Sequence, residues 1–219
     1  KGQRNVRQLK SCLLFWSDFV QKGVMMKIEV LFPGQGSQYL GMGQDFIDSD
    51  SDCAAIMEMA ASVCDFPLAK LCQEGPMEEL TRAIHLQPAI TVTNLICYQA
   101  LQKAWGDTIS AACFAGHSLG EYSALCAAGV LSVEDTIRLV IKRGALMERE
   151  GQINPGGMHA VIGKTIEEIE EIIAGCSGAG IVTAANHNTE QQIVISGSLP
   201  GLEAVGAAAA EDGARVIPL

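Results

Sequence analysis

A serine flanked by glycines constrains the fold of this chain more than any other feature. The pentapeptide Gly-His-Ser-Leu-Gly at 116–120 follows an apolar run at 111–115 and precedes a helix-like run at 121–128. A strand that turns sharply into a helix needs small residues around the serine, so that strand and helix can pack closely and expose its hydroxyl. The N–H of Leu119 then points to where an oxyanion would form. We therefore predict a nucleophile elbow at Ser118, with a purely structural turn as the alternative.

The composition limits the cellular setting and the partners. The chain has 219 residues, of which 48% are hydrophobic, and a formal net charge of -10. An acidic surface repels nucleic acid and anionic membranes, so we expect neither as a partner. The 8 cysteines form no C-x-x-C pair and no zinc-like spacing with histidine. This pattern predicts reduced core thiols, no metal site and a cytoplasmic protein.

Residues 1–24 are treated as an extension outside the fold. They are rich in lysine and arginine, and they precede Met25 and Met26. Their apolar part is broken by Asp18 and lacks a small-residue cleavage site, which argues against a signal peptide. We expect the native start at Met25 or Met26.

A second strand signal, at 28–32, ends in the glycine-rich loop Pro-Gly-Gln-Gly-Ser-Gln at 33–38. This strand is expected in the same sheet as the strand before Ser118. The loop does not match a nucleotide fingerprint, because G-x-G-x-x-G would need a glycine at Tyr39 and a P-loop would need a lysine. Its N–H groups can still approach a ligand closely and act as donors.

Helical spacing fills the region between the two strands. Apolar periodicity predicts helices at 50–63 and 77–84, and Pro88 is expected in the first turn of a third helix that runs to Leu101. After the serine helix, a capping-box-like start at 132–135 predicts a helix that reaches about Glu150.

Arg143, on this last helix, is predicted to lie against apolar surface. It lines up with Leu139 and Met147, each one turn away. A cation in such surroundings needs an anionic partner, because desolvating it unpaired is costly. That partner could equally be a core carboxylate or the carboxylate of a substrate.

The composition changes at 151–157, where glycine and proline mark a subdomain boundary. Beyond it, the apolar pattern predicts the order strand, helix, strand, strand, helix, strand, which is typical of a small ferredoxin-like unit. The predicted elements are 158–162, 165–174, 180–185, 192–196, 202–211 and 214–219. We therefore predict a large subdomain at 25–152 and a small subdomain at 153–219.

Several separated motifs together resemble the malonyl-CoA:acyl carrier protein transacylases. They are Phe-Pro-Gly-Gln-Gly-Ser-Gln at 32–38, Gln-Pro-Ala at 87–89, Gly-His-Ser-Leu-Gly-Glu-Tyr at 116–122, Arg-Gly-x-x-Met at 143–147, Gly-Met at 157–158 and Asn-x-Asn at 186–188. The resemblance covers about Ile28 to Leu219 and extends to the acyltransferase domains of fatty acid and polyketide synthases. It implies an α/β fold: an α/β-hydrolase-like parallel-sheet core, incomplete at the C-terminus here, with an inserted ferredoxin-like subdomain.

The resemblance also implies roles for matching positions. Ser118 would take a malonyl group from coenzyme A as an ester and pass it to the phosphopantetheine thiol of acyl carrier protein, in a ping-pong reaction. The N–H groups of Gln35 and Leu119 would form the oxyanion hole. Arg143 would bind the malonyl carboxylate with two hydrogen bonds. Further substrate-binding positions would be Met147, Asn186 and His117. The resemblance implies no cofactor beyond the two substrates, and a monomer when full length.

One family feature is missing from the sequence. The general base of the family is a histidine in a His-Ser/Thr-x-x-Met motif soon after the small subdomain, and this chain ends at Leu219 before that point. A serine is a weak nucleophile without a base, so we expect a fragment of a longer protein. An inactive fragment is one alternative. A serine hydrolase or thioesterase that pairs Asp135 with His159 or His187 is another, although both histidines are expected to be local variations.

Overall fold

The computed structural model describes residues 26–219, and these form two units that meet in sequence between Met147 and Glu148. The predicted extension at 1–24 and Cys12 lie outside the described residues. The predicted subdomain boundary, between 152 and 153, falls at the end of the same helix that contains Met147. Each unit is described by itself below.

The first unit contains two parallel strands, β1 (Met26–Phe32) and β2 (Ile109–Gly116). Their register pairs Val30 with Phe114 and Phe32 with Gly116. As predicted, the strands lie in one sheet. The two strands run in the same direction and end at paired residues. The loop after β1 and the serine turn after β2 therefore both lie at the carboxyl end of the strands.

Seven α-helices complete the described part of the first unit. They are α1 (Gln44–Ser49), α2 (Ser51–Val63), α3 (Leu68–Glu74), α4 (Met77–Thr81), α5 (Ala83–Trp105), α6 (Gly120–Ala127) and α7 (Val133–Ile153). A short 3-10 turn, Gly106–Thr108, links α5 to β2. The two short helices α1 and α3 were not predicted, because six or seven residues show too little periodicity.

The predicted start of α5 at Pro88 is wrong. The helix begins at Ala83, after Arg82 adopts an extended conformation with ψ 137°, and Pro88 lies inside it. A proline in a helix interior removes one donor from the hydrogen-bond ladder. Here the cost is offset by burial, since every residue from Leu86 to Val92 is buried. Tertiary packing therefore overrides the local preference of proline for the first turn.

The cysteines of the described residues differ in burial. All seven described cysteines are free thiols, of which Cys53 and Cys72 are buried whereas Cys97 and Cys113 are exposed. Burial raises the pKa of Cys72 to about 12. The prediction of core thiols thus holds for Cys53 and Cys72 and is wrong for Cys97 and Cys113, which are both exposed.

The second unit has the predicted strand and helix order. Its elements are β3 (Gly156–Ile162), α8 (Ile166–Gly175), β4 (Val182–Thr189), β5 (Gln192–Ser198), α9 (Leu199–Glu211) and β6 (Arg215–Pro218). The sheet order is β4-β5-β3-β6, and all three pairings are antiparallel. The core forms from apolar residues of β3, β5, α8 and α9, among them Val161, Ile169, Ile195 and Leu202. This is the arrangement expected of a ferredoxin-like unit.

Among residues 26–219, no helix is both long enough and apolar enough to cross a membrane.

Candidate active site

The turn between β2 and α6 is strained at the serine. Ser118 has φ 52°, and it is the one described residue other than glycine with a positive φ. Such a conformation costs about 1–3 kcal/mol and persists only where the surrounding structure enforces it. Strand β2 ends at Gly116 and helix α6 begins at Gly120, so the serine occupies the tip of a strand-to-helix turn. This is the geometry of a nucleophile elbow.

The two glycines of the elbow are required by backbone contacts. A Cβ atom at Gly116 would overlap the backbone of Gly120, and a Cβ atom at Gly120 would overlap the carbonyl group of Phe32. The elbow is further fixed to β1 by a hydrogen bond of 3.1 Å from His117 N to Phe32 O. Close packing of β2, α6 and the end of β1 therefore keeps Ser118 in its strained backbone conformation.

The glycine-rich loop after β1 lies directly against the elbow. A Cβ atom at Gly34 would stand 2.6 Å from His117 O and 3.6 Å from Leu119 N. Gln35 follows Gly34, so the two N–H groups predicted for the oxyanion hole belong to neighbouring segments. Within the described hydrogen bonds, neither the Gln35 N–H nor the Leu119 N–H donates to an acceptor. Both donors are free to bind a ligand.

The guanidinium of Arg143 contacts the serine. Its Nη2 donates a hydrogen bond of 3.1 Å to Ser118 Oγ, and its Nη1 donates to Gln87 Oε1. The Tyr122 ring centroid lies 5.9 Å from the guanidinium carbon. The apolar surroundings predicted from Leu139 and Met147 are corrected here, because these side chains are 44% and 39% exposed and Tyr122 supplies the apolar contact instead.

No carboxylate neutralises this guanidinium in the part of the chain that the structure describes. The ion pairs of residues 26–219 do not include Arg143, and its hydrogen-bond partners are an amide oxygen and a hydroxyl. A core carboxylate was one of the two predicted partners, and none is present there. The positive charge beside Ser118 is available for an anionic ligand.

Comparison with known proteins identifies the family of this chain. The pattern of the acyl transferase domain family matches residues 30–217. This chain belongs to that family. Malonyl CoA-acyl carrier protein transacylase of Bacillus subtilis (strain 168) is 40% identical over 197 residues, which are 89% of this chain and 61% of the relative. The chain thus spans less than two thirds of the length of several curated relatives that it matches.

Solved structures of acyl transferases show the same fold. The malonyl CoA-acyl carrier protein transacylase from Clostridium perfringens superposes with a TM-score of 0.80 at 38% identity, over 89% of this chain and 60% of the other. A second structure, of a type II polyketide acyl carrier protein in complex with its malonyl-transacylase, matches with a TM-score of 0.80 at 36% identity, over 89% and 62% of the two chains. The α/β fold predicted from the motifs is therefore confirmed.

Two polar residues of the acyl transferase site were not predicted. Gln87 is fully buried on α5, accepts the bond from Arg143 and leaves its Nε2 without a partner among the described residues. Asn94, two turns later, donates to Pro33 O and to Ser123 Oγ. The available signal was the spacing i, i+4 and i+7 of the polar residues Gln87, Thr91 and Asn94, which places them on one face of a largely apolar helix.

The other predicted site residues of the acyl transferase domain lie apart in the sequence. Met147 is one turn after Arg143 on α7, and the His117 backbone forms part of the elbow. Asn186 lies on β4 of the second unit, opposite Val194. Their roles stay predictions.

Of the residues suggested for a hydrolase, Asp135 has a local structural role. Asp135 accepts a hydrogen bond of 2.7 Å from the Ser132 hydroxyl, while Ser132 Oγ accepts from Asp135 N, so both belong to the start of α7. His159 lies on β3, where its Nδ1 is buried beside Gly206 without a hydrogen-bond partner among residues 26–219. Within the same range, no cluster of three or more His, Cys, Asp or Glu side chains could hold a metal ion.

Proposed function

We propose that this chain carries the nucleophile and the carboxylate-binding arginine of a malonyl-CoA:acyl carrier protein transacylase. The observation that carries the proposal is the contact of 3.1 Å between Arg143 Nη2 and the elbow hydroxyl of Ser118. In a malonyl thioester, one methylene separates the reacting carbonyl from the carboxylate, so their carbon atoms are only about 2.5 Å apart. A cation that binds this carboxylate must therefore lie very close to the nucleophile, as Arg143 does.

The reaction converts the thioester of malonyl-CoA into an ester on Ser118 and then into a thioester on the carrier protein. Ser118 Oγ attacks the carbonyl carbon of malonyl-CoA to form a tetrahedral oxyanion, and this intermediate then collapses with cleavage of the C–S bond. A general base takes the serine proton and returns it to the departing coenzyme A sulfur. In the second half, the phosphopantetheine thiol of the carrier protein attacks the ester and returns the proton to Ser118. The N–H groups of Gln35 and Leu119 stabilise the oxyanion in both halves.

Specificity for malonyl follows from the chemistry of Arg143. A guanidinium can donate two parallel hydrogen bonds to one carboxylate. A neutral acyl group such as acetyl would leave the cation without an anion, so its transition state gains less. Met147, Asn186 and His117 are proposed as further substrate contacts.

The setting of the reaction follows from the same proposal. The partner is an acyl carrier protein, and malonyl-CoA and the carrier's phosphopantetheine arm are the only other groups required, without a metal or resident cofactor. The enzyme acts in the cytoplasm as a monomer in fatty acid or polyketide synthesis. Ser118 belongs to the large subdomain, 25–152, and Asn186 belongs to the small subdomain, 153–219.

The test compares water and the carrier protein as acceptors of the malonyl group. The full-length protein is incubated with malonyl-CoA, with and without carrier protein, and the products are followed as free malonate and malonyl-carrier. We expect malonyl-carrier, together with a malonyl ester on Ser118 that intact-mass analysis detects and that Ser118→Ala abolishes. Malonate release that is indifferent to the carrier would identify a hydrolase instead, and absence of the ester would contradict the proposal.

Gln87 offers a second test of the same site. Gln87→Leu removes the acceptor for Arg143 Nη1, which frees the guanidinium to turn away from Ser118. A lost hydrogen bond to a charged group corresponds to about 1.5–3 kcal/mol, so we expect the KM for malonyl-CoA to rise at least about tenfold. Circular dichroism confirms that the variant is folded.

The matched variant Gln87→Glu keeps an acceptor in the same place but adds a negative charge. It should hold Arg143 firmly while competing with the malonyl carboxylate, so it should also raise the KM for malonyl-CoA. Unchanged KM values in both variants would show that Gln87 does not act on Arg143.

A further inference from the structure

We propose that Asn94 is a positioning residue for the loop that carries Gln35, an inference that rests on the acyl-transfer function proposed above. Asn94 contacts neither the serine nor the arginine of the site. It lies on α5, and its side chain reaches the two backbone segments from which the oxyanion hole is built.

One amide group joins these segments. Asn94 is 8% exposed, and its Nδ2 donates 3.1 Å to Pro33 O and 3.2 Å to Ser123 Oγ. Pro33 stands two residues before Gln35, and Ser123 is a fully buried residue of α6, one turn after Leu119. Asn94 therefore ties the glycine-rich loop and the helix of the elbow to the same point on α5.

The orientation of the amide is fixed by its partners. The carbonyl of Pro33 can only accept a hydrogen bond, so the Nδ2 of Asn94 must face it. A rotated amide would place its oxygen against the carbonyl oxygen and leave a buried acceptor unpaired, which is costly. Asparagine supplies two donors on one short side chain, and both are used.

The loop depends on this tether because its own bonds are local. Within residues 33–38, Ser37 donates to Gly34 O through both its N–H and its hydroxyl, and Gly36 N donates to Gln38 Oε1. Among the described hydrogen bonds of these six residues, the bond from Asn94 is the one that reaches outside the loop. Gly34 and Gly36 make the loop intrinsically free to move. Without the tether, the Gln35 N–H loses its fixed direction.

The same carbonyl also packs on the elbow. A Cβ atom at Gly120 would stand 3.0 Å from Pro33 O, so this oxygen lies against the first residue of α6. Moving Pro33 would therefore change the spacing between the two oxyanion donors. A misplacement of about 1 Å in an active site can reduce a rate about 100-fold.

The decisive variant is Asn94→Asp, which keeps the side-chain shape and replaces the donating amide by a carboxylate. At mildly alkaline pH, the carboxylate cannot donate to Pro33 O or Ser123 Oγ. We expect the single-turnover rate of Ser118 acylation at saturating malonyl-CoA to fall about 10- to 100-fold. The malonyl-CoA concentration that gives half the maximal rate should change less than about twofold, because Arg143 is untouched.

A pH profile separates a lost donor from a damaged fold. The Pro33 carbonyl can only accept a hydrogen bond and the position is buried, and both factors favour the neutral form of the new carboxyl group and raise its pKa above the ordinary value. As the pH falls through that raised pKa, the group gains a proton and can donate again. The activity of Asn94→Asp relative to the unsubstituted protein should therefore increase toward acid pH, whereas a damaged fold gives a ratio that stays constant or falls.

Thr93→Val is the matched control. Thr93 is the neighbouring residue on α5, and its hydroxyl donates 2.9 Å to Ala89 O within the same helix. Valine has the same shape, so this variant removes one hydrogen bond from α5 without affecting the loop. We expect its acylation rate to stay within about twofold of the unsubstituted protein.

A serine-directed fluorophosphonate probe makes the outcome independent of the acyl group. It reacts with Ser118 through the same oxyanion donors, so Asn94→Asp should also be labelled about 10- to 100-fold more slowly. Labelling and acylation at the unsubstituted rate, or an equal loss in Thr93→Val, would overturn the inference. If the unsubstituted protein is labelled but transfers no malonyl, the proposed function fails, and the probe still decides the role of Asn94.

Discussion

Replacement of Arg143 by alanine is expected to lower kcat/KM for malonyl-CoA about 100-fold or more without lowering kcat/KM for acetyl-CoA. The estimate follows from the loss of two charge-assisted hydrogen bonds to the malonyl carboxylate, each of which contributes about 1.5–3 kcal/mol. The measurement is kcat/KM for malonyl-CoA and acetyl-CoA in parallel, expressed as a ratio. Selectivity for malonyl should disappear because the variant no longer distinguishes a charged from a neutral acyl group.

Arg138→Ala is the control for this experiment. Arg138 lies on the same helix α7, but it is exposed and pairs with Glu134 over 2.7 Å. An exposed pair one turn apart contributes only about 0.3–0.5 kcal/mol, so the substitution should leave the malonyl-to-acetyl ratio unchanged. A malonyl preference that survives in Arg143→Ala would show that the carboxylate is bound elsewhere.

Replacement of Gly120 by alanine is expected to destroy the elbow. The added Cβ atom would overlap the Phe32 carbonyl, which is backbone and cannot move aside without shifting β1. We expect the free energy of unfolding to fall by about 3 kcal/mol or more, and acylation of Ser118 to be lost even in the fraction that remains folded. Urea unfolding and fluorophosphonate labelling measure the two effects separately.

Gly151→Ala provides the comparison for a helical glycine. Gly151 lies near the end of α7, and an added Cβ atom would meet nothing within 4 Å. Alanine is the better helix former there, so this variant should be unchanged in activity and about 0.5–1 kcal/mol more stable. Equal stability of Gly120→Ala and the unsubstituted protein would refute the packing argument for the elbow.

Local patterns were sufficient to predict the elbow and the ferredoxin-like unit. Gly116 has a steric cause inside the pentapeptide, its contact with Gly120, although Gly120 itself is required by the distant Phe32 carbonyl. Short apolar runs describe β3 and β5 directly. The start of α5 was mispredicted because the local rule for proline ignores burial. Pro88 lies in a segment that is buried from Leu86 to Val92. Elements from distant parts of the chain cover this segment, so the local sequence around Pro88 does not reveal its burial.

The polar contacts of the site could not be predicted from spacing. Gln87 and Arg143 are 56 residues apart in sequence, and Asn94 and Pro33 are 61 residues apart. Such pairs depend on where α5 crosses the end of the sheet, which local periodicity does not encode. The need of Arg143 for an anionic partner stays a prediction, and its apolar contact was wrongly assigned to Leu139 and Met147 instead of Tyr122.

Under the proposed function, the hydrogen bond between Arg143 and Ser118 gives binding of the substrate a second effect. In the structure, a lone pair of Ser118 Oγ is engaged by the guanidinium, and an engaged lone pair is a poorer nucleophile. A carboxylate that takes over the Nη2 donor returns this lone pair to the oxygen. A neutral acyl group has no carboxylate that could replace the serine hydroxyl as the acceptor, so the hydrogen bond from Arg143 to Ser118 stays in place. If Arg143 binds the substrate carboxylate as proposed, recognition of the acid and release of the serine hydroxyl occur in one event.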